Sequence, residues 1–489
     1  MTKQLILAVD QGTTGTTVLL LDEAMQIRGK GTCEIPQSYP APGLVEHDPE
    51  AIWRSVLTAF AKARAQAPEG TIAGIGVTNQ RETVVMWQRA TGRAVAPAIV
   101  WQDRRTAARC QAMRAAGHEP LVQRTTGLLL DPYFSGTKIT WMLENIPGLR
   151  QRALAGDIAF GTVDSFLVWR LSGGKSHITD VTNASRTLLF DLARLDWSPD
   201  LCRLFDVPPA MLPRVCASSG LLAVTSGVDG LPDGTPITGI AGDQQAALFG
   251  QGCFHLGEAK CTFGTGSFLL MNVGEKPVLS QHRLLGTVAW QTARGTSYAL
   301  EGSAFVSGAL VQWLRDGLGI IGSASEIEPL ARSVPDSGGV TIVPALTGLG
   351  APHWRSEARG LIAGLTRGTT RAHLARAALE AIALQNVDLV TAMQADAGLP
   401  TNNLRVDGGA AANDLLMEIQ ADLLGVQIFR PEMVESTALG AAKLAALGVG
   451  LPRVDAGGET VRIRVFNPSM SAEARAAHLT RWADAVARA

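Results

Sequence analysis

The feature that most constrains this chain is a pattern that occurs twice, about half a chain apart: an apolar strand, a tight Gly/Thr turn and a second apolar strand. The first copy runs Leu5-Ile-Leu-Ala-Val9, Asp10-Gln-Gly-Thr-Thr14 and Val18-Leu-Leu-Leu21. The second runs Ala259–Phe263, Gly264-Thr-Gly266 and Phe268–Val273. Each reads as a hairpin, and the recurrence hints at two related halves, although identity between the copies is slight. Further strands are expected over Ile72–Val77, Ala98–Val100, Thr235–Ala241, Thr341–Leu346 and Leu404–Val406. Helices are expected over Gln244–Gly250, Ala372–Gln394 and Asn413–Leu424; in the second of these Leu374, Ala378, Ala381, Ile382, Leu389 and Met393 fall at helical spacing. Strand, Gly turn and helix in alternation predict a layered α/β architecture. The Pro/Gly-rich stretch Gly227–Pro236 and the segment Gly242–Gly252 put a domain boundary near residue 250, giving domains 1–250 and 251–489.

Composition narrows the function classes. Of 489 residues, 46% are hydrophobic and 18% charged, enough apolar material for a large core and too much for a disordered chain. A net charge of −1 leaves no global basic field for nucleic acid or an anionic membrane. No apolar run approaches the ~20 residues that span a bilayer. The opening strand turns acidic at Asp10, too early for a secretory leader, so a cytoplasmic location is expected. The six cysteines are scattered, with no C-x-x-C pair and no Cys/His cluster, which argues against a disulfide framework and a zinc site.

Three turns carry phosphate-binding chemistry: Asp10-Gln-Gly-Thr-Thr14, Gly264-Thr-Gly266 and Asp407-Gly-Gly409. Glycine lets backbone N–H groups approach phosphate oxygens, and threonine adds short hydroxyl donors. Asp10, at a strand end, suits Mg²⁺ held directly or through water. There is no G-x-x-x-x-G-K-[ST] loop and no G-x-G-x-x-G after a strand, so neither a P-loop nor a Rossmann site is present. Singly such turns are ordinary hairpins; three after strands in one chain favour a nucleotide.

Asp243 stands between a strand ending in Ala241-Gly242 and the helical run that follows. On the plainer reading it is a helix N-cap. On the functional reading the helix N-terminus keeps its carboxylate ionised, ready to take the proton of a hydroxyl attacking a γ-phosphate. Arg81-Glu82 is either solvated surface or a donor and an acceptor for a polyol. Trp101 and Tyr133 are either core aromatics or a stacking wall for a small carbohydrate. The cluster Arg104, Arg105, Arg109 and Arg114 reads as one solvated helical face.

Five blocks carry a resemblance: Tyr39-Pro-Ala-Pro-Gly-Leu-Val-Glu-His-Asp48, Thr78-Asn-Gln-Arg-Glu-Thr83, Asp131-Pro-Tyr-Phe-Ser-Gly-Thr-Lys138, Gly239-Ile-Ala-Gly-Asp-Gln-Gln-Ala-Ala-Leu-Phe-Gly250 and Arg405-Val-Asp-Gly-Gly-Ala-Ala-Ala-Asn413. Over about residues 5 to 450 the chain resembles the glycerol-phosphorylating members of the FGGY carbohydrate kinases, within the superfamily of actin and hexokinase. The resemblance implies two ribonuclease-H-like domains around a cleft, and transfer of the ATP γ-phosphate to glycerol, or in the alternative to another polyol or ketose. It implies Asp243 as general base and Arg81, Glu82, Trp101, Tyr133, Asp243, Gln244 and Phe268 around the substrate. Thr13, Thr14, Thr265, Gly308, Gln312, Gly409 and Asn413 would contact nucleotide, as would Gln244, and Asp10 would belong to Mg²⁺. Self-association as a dimer or tetramer is expected from the same source. A third reading, an actin- or chaperone-like ATP-driven conformational protein, would need the phosphate turns but no polyol pocket.

Two departures stand out. Thr17 occupies a place where many such enzymes carry an arginine near the phosphates. The loop Gly230-Leu-Pro-Asp-Gly-Thr-Pro236 has no Lys or Arg, whereas some bacterial members bind fructose 1,6-bisphosphate through a basic loop there. Feedback by that sugar is therefore expected to be weak or absent.

Overall fold

The opening strand, Gln4–Gln11, is buried on both faces, which is why it reads as an unbroken apolar run and does not alternate. Leu5, Leu7 and Val9 pack with Ile52, Val56, Ala59 and Phe60 of the helix Pro49–Gln66. Ile6 and Ala8, on the other face, meet Ala438, Leu439, Ala442 and Ala445 of the helix Ser436–Gly448. The structure is a computed structural model that describes residues 4–355, 357–432, 435–451 and 462–489.

The molecule is an α/β protein with two large sheets. The first has six strands in the order Ser219–Val224, Pro236–Gly242, Thr71–Asn79, Gln4–Gln11, Gly15–Leu21 and Ile27–Glu34. Gln4–Gln11 pairs antiparallel with Gly15–Leu21 and parallel with Thr71–Asn79, which in turn runs parallel to Pro236–Gly242. The register sets Gln11 beside Asn79 and Asn79 beside Gly242, so three strands end together. The residues that follow these ends are the first phosphate turn, Gln80-Arg81-Glu82 and Asp243.

The second sheet has seven strands: Leu285–Thr292, Gly295–Ala304, Ser267–Gly274, Ala259–Phe263, Asn403–Asp407, Gln427–Pro431 and Ile463–Phe466. Its wiring repeats the first at the centre. The hairpin Ala259–Phe263 with Ser267–Gly274 is antiparallel, and Asn403–Asp407 joins parallel, with Thr262 opposite Asp407. The long helix Arg371–Ala397 contributes Ala375, Ala378, Ile382 and Leu389 to the core beside this sheet.

The helix Ser436–Gly448 follows six of the second sheet's strands in sequence yet lies on the first sheet and against the helix Asp243–Gly250. Small residues make this possible. A Cβ on Gly76 would lie 2.2 Å from the Ala441 carbonyl oxygen, and one on Gly440 would lie 1.8 Å from that of Ala246. Backbones therefore touch where side chains would normally intervene.

Several expectations are adjusted. The strand expected over Thr341–Leu346 is only Thr341–Val343, because Pro344 has no N–H for the ladder. The four arginines do not form one solvated face: Arg104 and Arg105 precede the helix Ala107–Ala115. The Arg105 side chain is only 6% exposed, paired with Asp103 at 2.8 Å and Glu46 at 2.7 Å and lying over the Trp141 ring. The six cysteines are free thiols, and among the described residues no helix is long and apolar enough to cross a membrane.

Candidate active site

Asp243 is the first residue of its helix, and the N-cap position falls on Gly242, which offers no side chain. The carboxylate is thus not consumed by capping the next turn. Its Oδ1 accepts from the Gln244 N–H at 2.7 Å and lies 3.1 Å from Nε of Arg81, and the side chain keeps 30% of its surface open. The carboxylate thus lies at a helix N-terminus, where the backbone dipoles favour negative charge, and beside a guanidinium, while still being reachable. The Gly242 N–H donates to Thr182 Oγ1 at 2.8 Å, which fixes the strand end that delivers Asp243.

Arg81 is buried, and both of its terminal nitrogens are hydrogen-bonded. Nε faces Asp243, Nη1 donates to Gln245 Oε1 at 3.2 Å and Glu301 Oε2 at 2.5 Å, and Nη2 donates to Glu301 Oε1 at 3.0 Å and the Tyr133 hydroxyl at 3.3 Å. Glu82 follows with φ of +59°, a left-handed conformation that a residue with a side chain seldom adopts. That turn lets neighbouring side chains serve one buried cluster: Glu82 receives Arg186 Nε at 2.6 Å, and Arg186 Nη2 also donates to Glu301 at 2.9 Å. With Arg81 Nε 3.8 Å from Glu82 Oε1, two guanidiniums and two carboxylates, all 2% exposed or less, form a closed ring.

The charges in this ring differ in how they are held. Burial raises the Glu82 carboxyl, and the two arginines only partly offset it. Burial also works against Glu301, but Arg186 and Arg81 overcome it and hold that carboxyl at about 2. Burial and the nearby Glu82 raise the Tyr133 phenol, so it remains a neutral hydroxyl.

Aromatic rings close one side. Trp101 meets Tyr133 at 5.6 Å and Phe268 at 6.2 Å, both edge to face, and its indole N–H donates to Thr13 Oγ1 at 2.9 Å. Phe268 comes from the second sheet, whereas Trp101 and Tyr133 belong to the first half of the chain, so the aromatic wall straddles the two halves. Gln244 is nearly buried, and its Oε1 receives the ammonium of Lys260, a fully buried lysine that also donates to Thr262 Oγ1 at 2.9 Å. Burial lowers the pKa of that ammonium.

The expected nucleotide residues fall into two groups. Thr13 and Thr14 lie in the first turn, closed by Gly12 N–H to Gly15 O at 2.9 Å. The others gather at the second sheet. The N–H groups of Ser307 and Gly308 donate to the carbonyls of Thr265 and Gly264, at 2.8 and 3.0 Å, so the second turn abuts the helix Gly308–Asp316, which carries Gln312 on its exposed side. Gly408, at φ +87°, lies so close to Phe263 that a Cβ would sit 2.5 Å from its carbonyl oxygen, which seats the Gly409 turn beside the strand that leads into the second turn. Asn413 caps the helix Asp414–Leu424 by accepting from the Leu416 N–H at 2.9 Å. Thr17 faces Asp10 across the first hairpin.

Asp10 bears on a metal ion. Burial, then the charges of Asp243 and Glu435, push its carboxyl up to about 8. Like charges facing one half-buried spot are the donor chemistry of a hard divalent cation. Among the described residues no group of three or more His, Cys, Asp or Glu side chains forms a cage. One or two carboxylates with waters and phosphate oxygens is the set Mg²⁺ takes, so the residues fit.

Sequence reasoning missed Arg186, Gln245, Lys260 and Glu301. The signal for two of them was present: Lys260 and Glu301 each interrupt an apolar strand with a charge, which is rare unless the charge is paired.

The chain matches the FGGY family of carbohydrate kinases, N-terminal domain, over residues 5–250 and C-terminal domain over residues 259–449. It is 55% identical to the glycerol kinase of Alkalilimnicola ehrlichii, over 99% of this chain and 98% of the relative. It is 57% identical to that of Aromatoleum aromaticum, again over 99% and 98%. Among solved structures, Plasmodium falciparum glycerol kinase with ADP superposes with a TM-score of 0.94 at 36% identity, covering 99% of this chain and 98% of that one. A gluconate kinase from Lactobacillus acidophilus, at 21% identity and a TM-score of 0.89, shares the fold.

Proposed function

This chain belongs to the FGGY family of carbohydrate kinases, and from that premise we propose how its cleft works. The protein transfers the γ-phosphate of ATP to glycerol, giving sn-glycerol 3-phosphate and ADP. The observation that carries the site assignment is the meeting at Asp243 of an accessible carboxylate, the Arg81 guanidinium and the ends of three parallel strands.

Glycerol is small and neutral, so its affinity comes from hydrogen bonds to nearly every hydroxyl. Arg81, Glu82, Tyr133, Asp243 and Gln244 supply those, while Trp101 and Phe268 cover the carbons. A site built this way rejects a diol, because a missing hydroxyl leaves a buried polar group unpaired. Asp243 accepts the proton of the terminal hydroxyl as its oxygen bonds to the γ-phosphorus. The bond from that phosphorus to the bridging oxygen breaks, and ADP leaves with the electron pair. The transition state is loose, so positioning and charge neutralisation matter more than base strength. Thr13, Thr14, Thr265, Gly308, Gln312, Gly409 and Asn413 hold the nucleotide by backbone and short side-chain donors. Asp10 would hold Mg²⁺, which neutralises phosphate charge when bound. Closure of the halves, 1–250 and 251–489, excludes water and limits idle ATP hydrolysis. We place the protein in the cytoplasm as a homo-oligomer.

The test is ADP release by the purified protein with Mg·ATP, with glycerol and beside longer polyols and ketoses. Strong stimulation by glycerol alone is expected. Stimulation by another sugar in its place would overturn the pocket assignment, and turnover indifferent to every alcohol would remove the function.

A further inference from the structure

Arg81 is asked to do two things at once: present N–H groups to a polyol and balance buried charge. Its five N–H directions are divided between these tasks. Glu301 takes one N–H from each terminal nitrogen in a bidentate pair, at 2.5 and 3.0 Å. The two contacts left nearest the cleft are those to Asp243, at 3.1 Å, and to the Tyr133 hydroxyl, at 3.3 Å. Both of those partners belong to the polyol pocket; the first is an ion pair without hydrogen-bond geometry and the second is a long bond for a charged donor, so a substrate hydroxyl can share them. Glu301 lies in the middle of the strand Gly295–Ala304, in the second sheet, whereas Arg81 follows a strand of the first. Glu301 does not lie alone against Arg81: Arg186 Nη2 reaches the same carboxylate oxygen at 2.9 Å and keeps the cluster neutral with Glu82.

We propose that Glu301 is a positioning residue for phosphoryl transfer: from the second sheet it fixes the plane of the Arg81 guanidinium, so that the substrate-facing N–H groups are aligned only when both halves of the chain are in register. The inference rests on reading the cleft as a polyol kinase site. Glu301 itself need not touch glycerol. A planar guanidinium gripped at both terminal nitrogens has one orientation, and a gripped donor loses little freedom when substrate binds. Without the grip, Arg81 is free to turn a terminal nitrogen onto Asp243 and tighten the ion pair it already makes through Nε, in competition with the incoming hydroxyl.

Glu301→Gln keeps the side chain's size and one acceptor but loses the bidentate charge. In the full-length protein its KM for glycerol is expected to rise roughly 10- to 100-fold, the size of one charge-assisted hydrogen bond, with the KM for ATP changed by less than about twofold. Its preference for glycerol over propane-1,2-diol is expected to fall about tenfold, since looser donors reject a missing hydroxyl less strictly. The decisive comparison is with Arg81→Ala. If Glu301 acts through Arg81, adding Glu301→Gln to that variant leaves the glycerol KM within about twofold. An unchanged glycerol KM in the single variant, or an equal further rise in the Arg81→Ala background, would overturn the proposal. Should Glu301→Gln fail to fold by circular dichroism, Glu301→Asp retains the charge on a shorter arm. It is expected to show the same split between the two substrates, and a wild-type glycerol KM there would equally overturn it. Absence of glycerol-dependent ADP release in the wild type would refute the function itself, a result separate from any of these.

Discussion

Arg81→Ala tests the central energetic claim. The substitution removes one of the two guanidiniums that neutralise Glu82 and Glu301, leaving both buried carboxylates to Arg186. Removing one partner of a buried pair costs about 3–5 kcal/mol, because the remaining charge is desolvated without compensation. Against a total stability of about 5–15 kcal/mol the variant still folds. Its melting temperature is expected to fall by roughly 6–20 °C. Part of the cost is relieved by protonating Glu82, whose carboxyl burial already raises, so the deficit is smaller at mildly acidic pH than at neutral pH. Arg81→Ala/Glu301→Gln removes the surplus negative charge and is expected to melt above Arg81→Ala alone. Activity loses something different. The contacts to Asp243 and Tyr133 go with the side chain, so the KM for glycerol rises roughly 10- to 150-fold, at about 1.5–3 kcal/mol for one charged hydrogen bond. Calorimetry and steady-state kinetics, run well below the variant's melting point, separate the two losses. A melting temperature equal to wild type, or a change confined to the KM for ATP, would refute the reasoning.

Four further outcomes are expected. Asp243→Asn nearly abolishes transfer while circular dichroism and nucleotide binding stay close to wild type; retention of most of kcat would exclude the general base. Gly440→Ala drives a methyl into the Ala246 carbonyl, costs about 1–3 kcal/mol by overpacking and lowers kcat, since the displaced helix carries Asp243 at its start; a wild-type kcat would contradict the contact. Lys138, fully buried with its ammonium donating to the Tyr133 carbonyl, is lowered by burial to about 7. Between that pH and the ordinary lysine range the unfolded chain binds the extra proton, so stability from this group rises with pH there. Lys138→Met is expected to flatten that rise in a series of thermal melts. Fructose 1,6-bisphosphate is expected to leave activity unchanged, because the charged side chains in the Gly230–Pro236 loop and just before it, Asp233 and Asp229, are both acidic; a dose-dependent drop in rate would refute this.

The residues we propose for the chemistry were legible because they follow strands. Asp10, Arg81 and Asp243 each come at the end of an apolar run, and the Gly/Thr turns mark themselves by composition. Asp243 was ambiguous between cap and base; the structure puts the cap position on Gly242 and leaves the Asp243 carboxylate partly open beside Arg81. Arg105 was misread, because adjacent arginines look solvated until Glu46, distant in sequence, is brought against one of them.

The sequence by itself determined the two hairpins, the strand-turn-helix order and the identity of the polar groups at the strand ends, since these depend on local periodicity and on what glycine and proline permit. Only the tertiary structure decided that Glu301 and Lys260 from the second sheet grip Arg81 and Gln244 from the first half. It alone decided that the helix Ser436–Gly448 returns to cover the first sheet. The physical reason is range. A turn or an amphipathic period is written within a few residues, whereas a buried charge is tolerable only once its partner arrives, from 16 positions away for Lys260 and Gln244 and from 220 for Arg81 and Glu301.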